Sequence, residues 1–276
     1  MKFAICNETF QDWPLDRAFA SAAECGYTGV EIAPFTLAAR AGDVSHAERK
    51  EIRRQTETAG LEVVGLHWLL AKTEGFHLTS PDAAVRQRTA DYLVELALLC
   101  SDLGGKVMVF GSPVQRSLAE GVTKAQGMSY AAEVLCKILP VLEANRVVLA
   151  VEPLTSQETN FLVTAAEAVE LIDRISSSQI QLHLDCKAMM SEATPIVDLI
   201  RQNRDLLAHF HANDPNRQGP GFGSLDFVPI FKALKEVRYD GWISVEVFDF
   251  SPGIERLARE SIEYMRAIVD VLAEDS

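Results

Sequence analysis

Among its 276 residues the chain has no apolar run long enough to cross a bilayer, no C-x-x-C pair and no low-complexity break. A membrane span is therefore not expected. The five cysteines, at positions 6, 25, 100, 136 and 186, are an odd number, the usage of a reducing compartment rather than of a disulfide framework. Cys100 and Cys136 fall at apolar helical positions and are expected to pack as small hydrophobes. The opening MKFAICNETF carries neither a long apolar core nor a cleavage site, so no secretory leader is expected and a cytoplasmic location is. Basic residues are scarce, 26 against 39 acidic, for a formal net charge of −13. Such a charge repels nucleic acid and anionic membranes unless a basic patch is present. The densest candidate, Arg49, Lys50, Arg53 and Arg54, is interleaved with Glu48 and Glu51 and reads as a solvated helix face.

What the chain does have is alternation. Strand-like segments at 2–8, 28–34, 61–70, 106–112 and four later sites alternate with helix-like segments from 15–26 to about 253–273. Ser80 and Pro81 read as the N-cap and first residue of the third helix. Pro140 falls inside the fourth and is expected to kink it. Eight strands and eight helices in strict alternation imply a parallel sheet with helices outside. At this length the pattern predicts one α/β domain over 1–276, a closed (β/α)₈ TIM barrel. An open doubly wound sheet is the alternative, but no G-x-G-x-x-G follows the first strand.

Four apolar stretches in the second half each end in a metal-type donor. They are VVLAVEP with Glu152, IQLHLDC with Asp185, LLAHFHAND with His211, and WISVEVFD with Glu246. Strand C-terminal ends build the active site of such a barrel, so four donors there suggest one site for a divalent metal ion: Mn²⁺, Mg²⁺, Co²⁺ or Zn²⁺. Period-2 alternation puts Ala150, His183, His209 and Ser244 one level deeper on the same side, and turns Val151, Leu184, Phe210 and Val245 toward the helices. Taken singly, each donor could instead make an ion pair or a capping hydrogen bond at a strand end. Together, buried carboxylates without partners would be costly.

At these residues the chain resembles the xylose-isomerase-like barrel superfamily of sugar epimerases and isomerases, above all its ketose 3-epimerase branch, the D-tagatose and D-psicose 3-epimerases. The most specific stretch is HANDPNRQGPGFGSLDF, from His211 through Arg217 to Phe227. The resemblance implies a single divalent ion, Mn²⁺ first, held by Glu152, Asp185, His211 and Glu246. It implies sugar contacts from Glu158 and Arg217, a small-molecule sugar or keto-sugar as partner, and a homo-oligomer of two or four copies. Epimerising a carbon beside a ketone would pass through an enediolate, with Glu152 and Glu246 as acid/base pair. One position departs: the branch places a histidine three residues after the aspartate, and here stands Ala188. Apurinic endonucleases share the barrel, but their trinuclear zinc site needs more histidines than the six present. A dehydratase of the inositol-derivative type and a non-catalytic sugar-binding barrel are the remaining alternatives.

Several residues keep two readings. His67, ending strand 3 with Trp68 beside it, either touches substrate or bonds a backbone carbonyl. His183 and His209 are read as packing or supporting groups before ligands. Trp13 and Phe248 form an apolar wall for the sugar or simply pack. Lys187 is read as a surface lysine before a pocket residue, and GPGFG (219–223) as a flexible loop before a phosphate cradle.

Overall fold

The computed structural model describes residues 1–274. Eight parallel strands close into a barrel in chain order. They are β1 (Lys2–Cys6), β2 (Gly29–Ile32), β3 (Glu62–Leu66), β4 (Val107–Phe110), β5 (Val148–Val151), β6 (Ile180–Asp185), β7 (Leu207–Ala212) and β8 (Trp242–Val245). Pairing of Ala4 with Ser244 and Ile5 with Val245 closes the ring. Segments such as VMVF and VLAV are apolar at successive positions because a parallel barrel strand is covered on both faces. β3 and β4 approach so closely that a Cβ on Gly65 would lie 1.8 Å from the carbonyl oxygen of Val107, which only glycine permits.

The outer layer holds α1 (Leu15–Cys25), α2 (His46–Thr58), α3 (Ala83–Leu103), α4 (Lys124–Asn145), α5 (Ala165–Ile175), α6 (Cys186–Met189), α7 (Ile196–Gln202), α8 (Phe227–Glu236) and α9 (Ile254–Glu274). The described residues thus hold nine α-helices where eight are expected. The extra one, α6, is a single turn directly after β6, too short to show helical periodicity, and Asp185 caps it by accepting from Ala188 N–H. The start of α3 is also corrected. Its cap is Asp82, which accepts from Ala84 N–H, and not Ser80. Pro140 lies within α4 without ending it. Cys100 is buried as expected, but Cys136 is exposed on α4. No helix among the described residues is long and apolar enough to cross a membrane.

Register decides what meets at the barrel mouth. Asp185 pairs with His211 across β6 and β7. Ala212 pairs with Val245 across β7 and β8, so Glu246 follows directly beside it. The residues expected beneath these positions, Ala150, His183, His209 and Ser244, are all fully buried.

Candidate active site

Glu152, Asp185, His211 and Glu246 converge where β5 to β8 end. One donor atom from each lies within 4.8 Å of all the others, and all four side chains are buried. Their orientation is fixed by hydrogen bonds from several elements. Asp185 Oδ1 accepts from Ala188 N–H at 2.7 Å and Oδ2 from Asn213 Nδ2 at 2.5 Å. Glu246 Oε1 accepts from Trp68 Nε1 at 2.6 Å, and its Oε2 lies 3.0 Å from His211 Nδ1. The Glu152 carboxylate occupies space that a side chain at residue 111 would take: a Cβ on Gly111 would come within 2.2 Å of its Oε2.

The first half of the barrel adds two carboxylates. Glu31, at the end of β2, reaches across to accept from His209 Nε2 at 2.7 Å and His211 Nε2 at 3.1 Å. That contact leaves His211 Nδ1 on the side of Glu246. Glu8 Oε2 lies 2.6 Å from His67 Nε2. His67 therefore pairs with a carboxylate, not with a backbone carbonyl, while also lining the cavity.

That cavity holds about 350 Å³, within the range of small-molecule sites, and its walls include His67, Glu152, Glu158, Lys187 and Glu246. An outer chamber of about 750 Å³ adjoins it and is bordered by Glu8, Trp13 and Phe35. Trp68 and Phe248, stacked with centroids 6.0 Å apart, border both spaces, as do Lys72 and Arg217. Of the expected substrate contacts, Glu158, Arg217, His67 and Trp68 line the inner cavity, whereas Trp13 lines the outer chamber and packs at a tilt against Phe10. The surface reading of Lys187 fails: its side chain is 15% exposed and its Nζ pairs with Glu158 Oε1 at 2.7 Å. Nor does GPGFG hang free. Buried Asp214 pins the loop by accepting from the N–H groups of Gly221 and Leu225.

A family model described as Xylose isomerase-like TIM barrel matches residues 19–268. The chain belongs to that family. It is 30% identical over 228 residues to the D-psicose 3-epimerase of Enterocloster bolteae, which covers 82% of this chain and 74% of that one. It is 24% identical over 279 residues to the fructoselysine 3-epimerase of Escherichia coli O157:H7, over 98% of both chains. A crystal structure of D-psicose 3-epimerase with D-tagatose from Clostridium cellulolyticum H10 matches with a TM-score of 0.86, over 97% of this chain and 99% of that chain, at 21% identity. Identity that low speaks for the fold alone.

Electrostatics set Glu152 and Asp185 apart from Glu31 in this family member. Burial pushes the Glu152 carboxyl well above its usual range, and Glu246 and Asp185 push it further. Asp185 is raised to about 6 by burial and then by Glu246. Burial alone would raise Glu31 too, but His209 and His211 hold it well below the usual value. Burial would likewise lower His211, yet Glu31 and Glu246 hold it well above. Among the described residues no lysine or arginine forms an ion pair with Glu152, Asp185 or Glu246. Three carboxylates and an imidazole, buried together without a basic partner, fit a divalent cation.

Sequence reading missed Glu8, Glu31, Asn213 and Arg116. Arg116 is fully buried, donates to the carbonyl oxygens of Glu152 and Leu162, and is lowered to about 10 by burial. It braces the backbone that carries Glu152 rather than the carboxylate. A lone Glu inside the apolar GVEI was the one available signal for Glu31; Arg116, in an ordinary loop, offered none.

Proposed function

We propose that this chain is a divalent-metal-dependent sugar epimerase that moves a proton at the carbon beside the ketone of a keto-sugar. The observation that carries this reading is the group of four buried donors facing a cavity of small-molecule size, in a chain akin to named sugar 3-epimerases. Glu152, Asp185, His211 and Glu246 would hold the ion, with Mn²⁺ the first candidate. When bound, it would supply Lewis-acid stabilisation of negative charge developing on the sugar's oxygens. The protein's own part is proton transfer and orientation. Glu152 and Glu246 stand on separate strand ends across the donor group, so that one removes the proton and the other returns one to the opposite face. Trp68 N–H holds one oxygen of Glu246 and His211 the other, fixing the orientation of its carboxylate. Arg116 and the missing side chain at Gly111 set the position of Glu152. Stacked Trp68 and Phe248 wall the sugar's carbon face and limit water at the reacting centre.

Metal content of the purified protein tests the reading, with wild type beside Asp185→Asn, followed by carbon-bound deuterium exchange into ketoses. About one divalent ion per chain, lost in the variant, with exchange and no loss of water from the sugar, is the expected result. Absence of bound metal after adding Mn²⁺, Co²⁺ or Zn²⁺ would overturn it. Loss of water from the product would instead favour a dehydratase.

A further inference from the structure

The barrel mouth offers more room than one sugar unit needs. Its inner cavity, about 350 Å³, is at the low end of small-molecule sites and is lined by Glu152 and Glu246 of the donor group. The outer chamber, about 750 Å³, is larger, and none of Glu152, Asp185, His211 and Glu246 lines it. Trp68, Lys72, Arg217 and Phe248 line both, so the two spaces meet along a shared wall. A ligand with its reacting carbons among the donors can therefore extend past Trp68 and Phe248 into the second space.

The lining of that chamber says what fits there. Phe35, Trp68 and Phe248 form a run of rings with successive centroids 5.8 and 6.0 Å apart. Trp13 and Phe250 add two more, from the loops after β1 and β8. The protein itself leaves all five rings only half-buried. Aromatic faces left open in this way suit the C–H face of a sugar. Polar groups occupy the rim. Gln11 and Asp12 are exposed, and their side chains form no hydrogen bond among the described residues. Glu8 is 9% exposed, and its Oε1 has no partner among the described residues, although Oε2 pairs with His67. A buried acceptor left unpaired is costly, and a ligand hydroxyl would satisfy it. Charge selects neither sign, because two acids, Glu8 and Asp12, border the chamber with two bases, Lys72 and Arg217. Open rings edged by acceptors, without net charge, match a neutral polyhydroxylated group better than an ion or a hydrocarbon chain.

Building on the epimerase reading, we propose that the substrate is a keto-sugar joined to a second, neutral sugar unit. The keto-sugar occupies the inner cavity, and its neighbour stacks in the outer chamber against the rings of Trp13 and Phe250. That second unit touches none of the reacting carbons, so its binding energy goes into placing the first.

The test compares fructose with two disaccharides, glucose joined to fructose through O1 or through O6, on the protein as purified. Binding is read by calorimetry and carbon-bound deuterium exchange by NMR. One disaccharide should bind about tenfold or more tightly than fructose, and the winning linkage tells which end of the keto-sugar faces the outer chamber. That advantage should collapse in Trp13→Ala and in Phe250→Ala, which lie on separate loops. It should largely survive in Trp13→Phe, which controls for folding, and persist in high salt because the added unit is neutral. Fructose bound as tightly as both disaccharides would overturn the inference, and its exchange would leave the epimerase reading standing. An advantage unchanged in both alanine variants would overturn it as well. Disaccharide-selective binding that both alanine variants abolish, without exchange from any sugar, would support the second subsite and sink the epimerase reading. No binding of any of the three sugars would count against both.

Discussion

Glu31 and Glu152 are buried glutamates at the same mouth of the barrel, one near the end of β2 and one just after β5, yet their surroundings are opposite. Glu31 accepts from two histidines and is held ionised by them. Glu152 faces two other carboxylates, its own carboxylate pairs only with His183 Nε2 at 4.0 Å among the described residues, and it is pushed toward the neutral form. The first half of the barrel is thus balanced within the protein, Glu8 against His67 and Glu31 against His209 and His211. The second half carries an excess of negative charge in a small volume. The contrast separates acids that hold the site's shape from acids that wait for a cation.

Neutralising each acid in turn should break the symmetry, and this is the largest effect expected. In chelator-treated protein, Glu31→Gln should lose roughly 3 kcal/mol of stability, because it strands two buried histidines. Glu152→Gln should leave stability unchanged or raise it, because it relieves repulsion. Thermal unfolding of the two variants measures this, and equal losses in both would erase the distinction. Function should divide differently. Glu152→Gln should slow deuterium exchange by about 10²–10⁴-fold. Glu31→Gln should weaken metal binding by about 10–100-fold through the freed His211 ring.

A second, smaller contrast concerns two glycines, one within β3 and one directly after β4. An added Cβ at Gly65 would strike the backbone of Val107, whereas one at Gly111 would strike the Glu152 carboxylate, which can move. Gly111→Ala should therefore fold with a penalty of roughly 1–3 kcal/mol or less and show its main defect in metal affinity. Unchanged metal binding in titration calorimetry would mean that Gly111 does not position Glu152.

The same division governs what could be read before the structure. Glu152, Asp185, His211 and Glu246 each end a largely apolar run, so four similar signals fall in successive strands. The parallel alternation that yields the barrel is a long-range pattern of the same kind, and the closed order of eight strands follows it. Glu8 and Glu31 had no such repetition. Glu8 lies in NETF, a 3-10 turn whose residues are all buried by contacts from elsewhere, and polar letters there look like a surface loop. Lys187 was misjudged because its exposure depends on the one-turn α6, whose four residues carry no period. Residues whose role depends on a distant partner are the ones that local patterning cannot reach.

His77 offers the smallest test, because it lies outside both groups of acids. Its ring has no carboxylate partner among the described residues; Nδ1 lies 3.5 Å from the Thr79 hydroxyl, and the backbone N–H donates to Thr89 Oγ1. Burial lowers its pKa, whereas His67, beside Glu8, is raised despite burial. The signs for stability are therefore opposite. A histidine with a lowered folded pKa takes up its proton more readily in the unfolded chain, so its contribution is complete above the ordinary histidine value of about 6.5 and is lost as pH falls below it. Between about pH 7 and about pH 5.5, wild type should lose slightly more Tm than His77→Gln, by of order 1 °C for a half-exposed group in a chain of this length. Parallel Tm curves for the two proteins would mean that this ring is solvated well enough to titrate alike in both states. The pairing with carboxylates would then not be what sets His67 apart from it.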